Sequence, residues 1–153
     1  MDLQAANAVI EHLVDRARLG HVTGDVKRSA AVLLDRADLR LRTARAGLAS
    51  GDPAGAFVAA YDAYRMAAES ILLGLGLRPT GGDGSHVVVE DVVSALCGST
   101  IPTFRKTRFE RFRRTRHTAQ YFDPDGPDIT DDDARWAIRT AASALAGTRE
   151  PDP

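Results

Sequence analysis

The sequence predicts an all-α protein, an antiparallel up-and-down bundle of five or six helices. Three observations carry that prediction. Apolar residues recur at steps of three and four along nearly the whole chain, the spacing that gathers them on one side of a helix. Glycine, proline and aspartate cluster in short stretches between those runs, where helices stop and restart. No two segments read as strands able to pair with each other, and a lone strand is not a stable element.

The bulk numbers agree. At 153 residues the chain fits one domain with a core that needs no covalent staples. Cys97 is the single cysteine, which excludes an internal disulfide framework and a thiolate metal cluster within one chain. A reducing, cytoplasmic setting follows as the expectation. No apolar run approaches the ~18–20 residues of a membrane span. Asp2, Glu11 and Asp15 interrupt the N-terminal apolar residues, unlike a signal peptide. No membrane partner, metal or cofactor is expected.

In chain order, Leu3, Ala6, Ile10, Leu13 and Ala17 predict a first helix running to about Gly20. Ala30, Leu33, Leu34, Ala37, Leu41, Ala44 and Leu48 form a second stripe, with Arg36, Arg40, Arg42 and Arg45 on its other faces. Gly51 ends it, and Asp52-Pro53 starts a third helix as cap and first-turn proline. That helix aligns Phe57, Ala60, Tyr61, Tyr64, Ala68, Ile71 and Leu75, and its aromatic row reads as core. "GLRPTGGDGSH" is a loop, from which Ser85 can cap a fourth helix. Val88, Val89, Val92, Val93 and Leu96 also suit a strand, but their period near 3.6 favours a helix. Ile101-Pro102 begins a fifth helix, halted by "DPDGPD". Thr130 and Asp133 make a capping-box variant for the sixth, through Trp136, Ile138, Ala141 and Leu145. Three divisions result: an accessory helix over residues 1–22, a bundle over 23–148 and a tail over 149–153.

The formal net charge of −1 hides a local dipole. Seven of the twelve residues from Arg105 to Arg116 are Arg or Lys, and Asp123, Asp125, Asp128 and Asp131–Asp133 follow. At about 100° per residue, Phe109, Phe112, Arg116 and Ala119 share a face, so Arg116 continues an apolar stripe. Arg113, His117 and Tyr121 form a row beside it. A guanidinium on such a stripe needs a partner. One reading is an ion pair with Asp62 or Glu69 of the third helix. The other is a groove where Arg116, with His117 and Tyr121, receives a phosphate in its two-pronged fork. Arg105, Lys106, Arg108, Arg113 and Arg114 would then attract a polyanion, although a solvated surface is the plainer role for most of them.

"RHTAQY" resembles the signature of HEPN domains, small helical proteins of prokaryotic defence and toxin–antitoxin systems. Arg116 matches the signature arginine and His117 the polar residue after it. Upstream, "YDAYRMAAESILLGLGLRP…GSH" is similar to the family's alanine-rich helix, Gly-Leu-Arg-Pro loop and helix-opening histidine, as in an actinobacterial HEPN-like subfamily. The resemblance spans roughly Ala30 to Leu145 and implies a HEPN-like bundle, usually dimeric, with both subunits' motifs meeting in a cleft. It also implies RNA as the ligand. Active members are metal-independent ribonucleases, in which histidine moves protons and arginine steadies the phosphorane.

Tyr121 stands where the signature's final histidine belongs. Its phenol, with an ordinary pKa near ~10, is a poor proton shuttle at neutral pH but a competent hydrogen-bond donor. Two histidines can substitute. His117 follows Arg111 at the family spacing, and His86 opens a helix, where a structural role is the plainer reading. The expectation is therefore an RNA-binding homodimer, with catalytic candidates Arg116, His117 and Tyr121. Metal-independent endoribonuclease activity is its strongest form. The alternative is a non-catalytic interaction module that docks an antitoxin or a nucleotidyltransferase.

Overall fold

The computed structural model describes residues 1–149. Its elements are α1 (Leu3–Asp15), β1 (Leu19–His21), α2 (Val26–Ala49), α3 (Pro53–Gly74), β2 (Leu77–Pro79), α4 (Ser85–Cys97), α5 (Lys106–Gln120) and α6 (Asp131–Arg149). A 3-10 turn, Pro102–Phe104, precedes α5. The all-α bundle is thus observed, with one small addition. β1 and β2 pair antiparallel, Leu19 opposite Pro79 and His21 opposite Leu77. No described helix is long and apolar enough to cross a membrane.

Side chains set the helix starts. Asp2, Asp25 and Asp52 each accept a hydrogen bond from the backbone N–H three residues on, at 2.9, 3.0 and 2.8 Å. Thr130 and Asp133 cap α6 reciprocally: Asp133 N donates to Thr130 Oγ1 at 3.1 Å, and Thr130 N donates to Asp133 Oδ2 at 2.9 Å. Ser85 does not cap α4. The cap is Gly84, in the left-handed region at φ 78°, and it offers no side-chain acceptor.

Two helix boundaries depart from expectation. α1 stops at Asp15 rather than Gly20, because Ala17 turns the chain at φ 54° and releases Leu19–His21 into the strand pair. The helix expected from Ile101-Pro102 becomes the 3-10 turn, and Arg105 is extended before α5 begins. The tail expected from Arg149 is also corrected at its first residue. Arg149 is still helical and donates to Asp38 Oδ2 at 2.5 Å. Glu150–Pro153 lie outside the described residues.

α3 is the central helix, packed by α2, α4, α5 and α6. Ala56, Ala60, Ala63, Ala67 and Ala68 are fully buried along it, so small side chains let neighbouring backbones come close. Its aromatics supply the bulk. Tyr64 stacks on Phe112 with ring centroids 4.4 Å apart and also meets Phe109 at 4.9 Å and Phe104 at 5.5 Å. Phe112 reaches on to Trp136 of α6 at 4.7 Å. The buried Tyr64 hydroxyl donates to Thr103 O at 2.7 Å, which ties α3 to the turn ahead of α5. Burial pushes its phenol well above the ordinary range, so it stays protonated. This aromatic cluster fixes the angle at which α5 crosses α3.

Candidate nucleic-acid interface

α5 has two unlike sides. Phe109 and Phe112 are buried against α3, while the helix also carries six cations, Lys106, Arg108, Arg111, Arg113, Arg114 and Arg116. Most are already engaged. Lys106 bonds to Asp91 at 3.1 Å, and that hydrogen bond raises its pKa. Arg113 meets the buried carboxylate of Glu90 at 2.6 Å. The Arg111 guanidinium lies 3.9 Å from the Trp136 ring centroid, a cation–π contact. Just before the helix, Arg105 Nε donates to Gly98 O at 3.3 Å. Arg108 and Arg114 are exposed and make no ion pair among the described residues.

Arg116 is different. It is half-buried, with its guanidinium carbon 4.9 Å from the centroid of the Tyr61 ring. Its Nε is buried and finds no acceptor among the described residues. The ion pair with Asp62 or Glu69 is not formed. Glu69 is taken by Arg65 one turn earlier on α3, at 2.5 Å. Arg116 therefore lies against an aromatic face, and among the described residues no carboxylate bonds to its guanidinium.

His117 and Tyr121 do form the expected row, with ring centroids 4.9 Å apart. Both are exposed, and they sit beside Arg116 rather than on the Tyr61 ring. Tyr121 is the extended residue at which α5 stops. Arg111, the arginine of the alternative register with His117, lies against Trp136 of α6.

The ring beneath Arg116 also carries a histidine. His86, in the first turn of α4, meets Tyr61 edge-on at 6.4 Å. A small pocket beside the ring, bounded by Arg65, His86, Glu90 and Arg113, has room of about 20 Å³, enough for one water-sized group. Burial, Arg65 and Arg116 lower the His86 pKa, against which Glu69 pulls upward, so the neutral imidazole is favoured near pH 7. Burial raises the Tyr61 phenol, with Arg116 and Arg65 opposing, and that hydroxyl stays protonated.

The pattern of an alanine-rich central helix, a glycine loop, a helix-opening histidine and a basic helix has a counterpart among known domains. Residues 30–147 match the HEPN domain family. The chain belongs to that family. No curated protein and no solved structure matches the chain. The HEPN match begins inside α2, so α1 and β1 fall outside it. They still bear on the site. Arg18 donates to Asp83 O at 2.7 Å and Thr80 donates to Ala17 O at 2.7 Å, which pins the loop that delivers His86.

Sequence reasoning placed Arg116, His117 and Tyr121 together, and the structure does bring them to one end of α5. Tyr61 was read only as core and Glu69 only as a possible partner of Arg116, and Arg65 was given no role. They form an i, i+4, i+8 row on α3, but its meeting with His86 of α4 is a contact between helices, which no spacing within one helix reveals.

Proposed function

We propose that this HEPN protein binds RNA along the exposed side of α5, with Arg116 holding a backbone phosphate. Arg116 itself carries the reading. A guanidinium held on Tyr61, with a buried Nε lacking an acceptor among the described residues, suits an incoming anion. Arg108 and Arg114, exposed on the same helix and in no ion pair among the described residues, extend the contact, whereas Arg105, Lys106 and Arg113 contribute field from positions fixed by other bonds. Residues 1–22 serve as an accessory to the bundle, since α1 packs on α4 outside the matched span.

The stronger form of the reading is metal-independent cleavage within a homodimer. Arg116 would steady the phosphorane, the exposed His117 imidazole would move the proton and Tyr121 would hydrogen-bond nearby. A second reading, a non-catalytic module that docks an antitoxin or nucleotidyltransferase, is favoured by one observation. Tyr121 and Phe122 are 58% and 88% exposed at the end of α5, an aromatic pair open to a protein surface.

The test is incubation with mixed RNA in EDTA, following binding and strand cleavage for wild type, Arg116→Ala, His117→Ala and Tyr121→Phe. Binding weakened in Arg116→Ala supports the RNA reading. Cleavage lost in both Arg116→Ala and His117→Ala supports the nuclease form. Binding that ignores Arg116→Ala removes the reading and leaves the protein-docking module.

A further inference from the structure

We infer that His86 and Arg116 act together as a clamp on one phosphate, the two groups being held by α4 and α5 against the same Tyr61 ring. The inference rests on the RNA reading above and names the subsite where the backbone is gripped.

Geometry comes first. Tyr61 projects from α3 and is covered by Arg116 from α5 and by His86 from α4. Each contact orients a group that can donate a hydrogen bond to an anionic oxygen. His86 keeps an exposed edge, so a ligand can reach it. The small pocket on the His86 side of the ring is lined by Arg65, Glu90 and Arg113 and not by Arg116, so the shared phosphate lies at the exposed edge of His86 rather than inside it.

Charge gives the second argument. The charged groups around His86 are Arg65 and Glu69 from α3, and Arg113 and Arg116 from α5. Arg65 is paired with Glu69, and Arg113 with Glu90 of α4. Asp62 of α3 also reaches the Tyr61 ring, but among the described residues it makes no ion pair with Arg116. A phosphodiester can therefore pair with Arg116 without breaking either of the two ion pairs. α4 adds its positive end, since Gly84 supplies no capping side chain to its first turn.

A consequence in pH follows. In the free protein, burial and the neighbouring arginines keep His86 neutral at neutral pH. A phosphate seated between His86 and Arg116 cancels the Arg116 field and stabilises imidazolium, which raises the His86 pKa. Binding then takes up a proton. RNA affinity rises as pH falls from the bound pKa toward the free pKa, by at most about tenfold per pH unit for one coupled proton.

The test is NMR titration of the histidine side chains in ¹⁵N-labelled full-length protein, with His86 assigned by its loss in His86→Gln. Three samples are compared: no addition, a short RNA and inorganic phosphate. Arg116→Gln, which removes the charge and keeps a polar side chain, serves as the second variant. The expected result is a His86 pKa raised by about one unit or more with RNA. That rise is absent in Arg116→Gln, and His86→Gln flattens the pH dependence of RNA binding. RNA that binds without moving His86, or moves it equally in Arg116→Gln, overturns the clamp and leaves the RNA reading standing. Phosphate that raises the His86 pKa through Arg116, in a protein that ignores RNA, upholds the clamp and sinks the RNA reading. No response to either ligand overturns both.

Discussion

α2 and α5 carry the same number of cations and put them to opposite use. α2 holds Lys27, Arg28, Arg36, Arg40, Arg42 and Arg45, every one exposed and, among the described residues, in no ion pair. Its own acids, Asp35 and Asp38, face Arg149 of α6 instead. α5 spends its cations on Trp136, Glu90, Asp91 and Tyr61, and buries one of them halfway. A count of arginines thus describes both helices equally and distinguishes neither. What distinguishes them is the aromatic side of α5. Phe109 and Phe112 lock the helix onto α3, and that docking holds Arg116 over Tyr61. A solvated cation keeps its hydration and its freedom, whereas a cation held on a ring has already lost both and gains more from an arriving phosphate.

The sharpest way to break this comparison is to unseat α5. Phe112→Ala should cost about 3–5 kcal/mol by urea denaturation, since Phe112 is fully buried among Phe57, Tyr61, Tyr64 and Trp136. The double change Arg36→Ala and Arg40→Ala on α2 should alter stability by no more than about 0.5 kcal/mol. Comparable losses would mean that α5 is no better anchored than α2.

Salt dependence separates the two cationic faces next. Removing Arg108 and Arg114 together should shallow the slope of log affinity for RNA against log salt by about 1.4, or ~0.7 per phosphate released. The α2 pair should leave that slope unchanged. A smaller effect is expected at Arg111. Its contact with Trp136 is worth about 0.5–1 kcal/mol at an exposed site, so Arg111→Ala should lower stability by that amount and spare RNA affinity.

The smallest effect concerns Glu90. Burial pushes its carboxyl above the ordinary range, with Arg113 pulling back. A raised folded-state pKa means that the folded protein holds this proton more tightly than the unfolded chain. The stability that protonated Glu90 contributes is present below the unfolded pKa and is lost as pH rises through the folded one. Glu90→Gln should therefore gain on wild type as pH rises above the ordinary carboxylate value, in paired denaturation curves. A gain in the opposite direction would place the balance on the Arg113 ion pair instead.

Much of the fold was legible because its determinants are local. The Thr130–Asp133 cap and the Asp52-Pro53 start each depend on residues a few positions apart, and both were read correctly. The β1–β2 pair was not, because it joins three residues near position 20 to three near 78, and segments that short carry no periodic signal. The end of α1 went with it. The candidate site divides along the same line. His117 and Tyr121 are neighbours on one helix and were predicted to be so, whereas the meeting of His86, Tyr61 and Arg116 requires the tertiary packing of α3, α4 and α5.

One arginine, held on an aromatic ring, should outweigh the solvated ones in binding RNA. Fluorescence anisotropy of a labelled RNA in EDTA, with Arg116→Ala and Arg40→Ala measured side by side, tests it directly because both changes remove one positive charge. An affinity loss of roughly tenfold or more is expected for Arg116→Ala, as for one charged hydrogen-bonded contact, and little change for Arg40→Ala. Equal losses in the two variants would contradict it and make net charge, not the built position of Arg116, the source of binding.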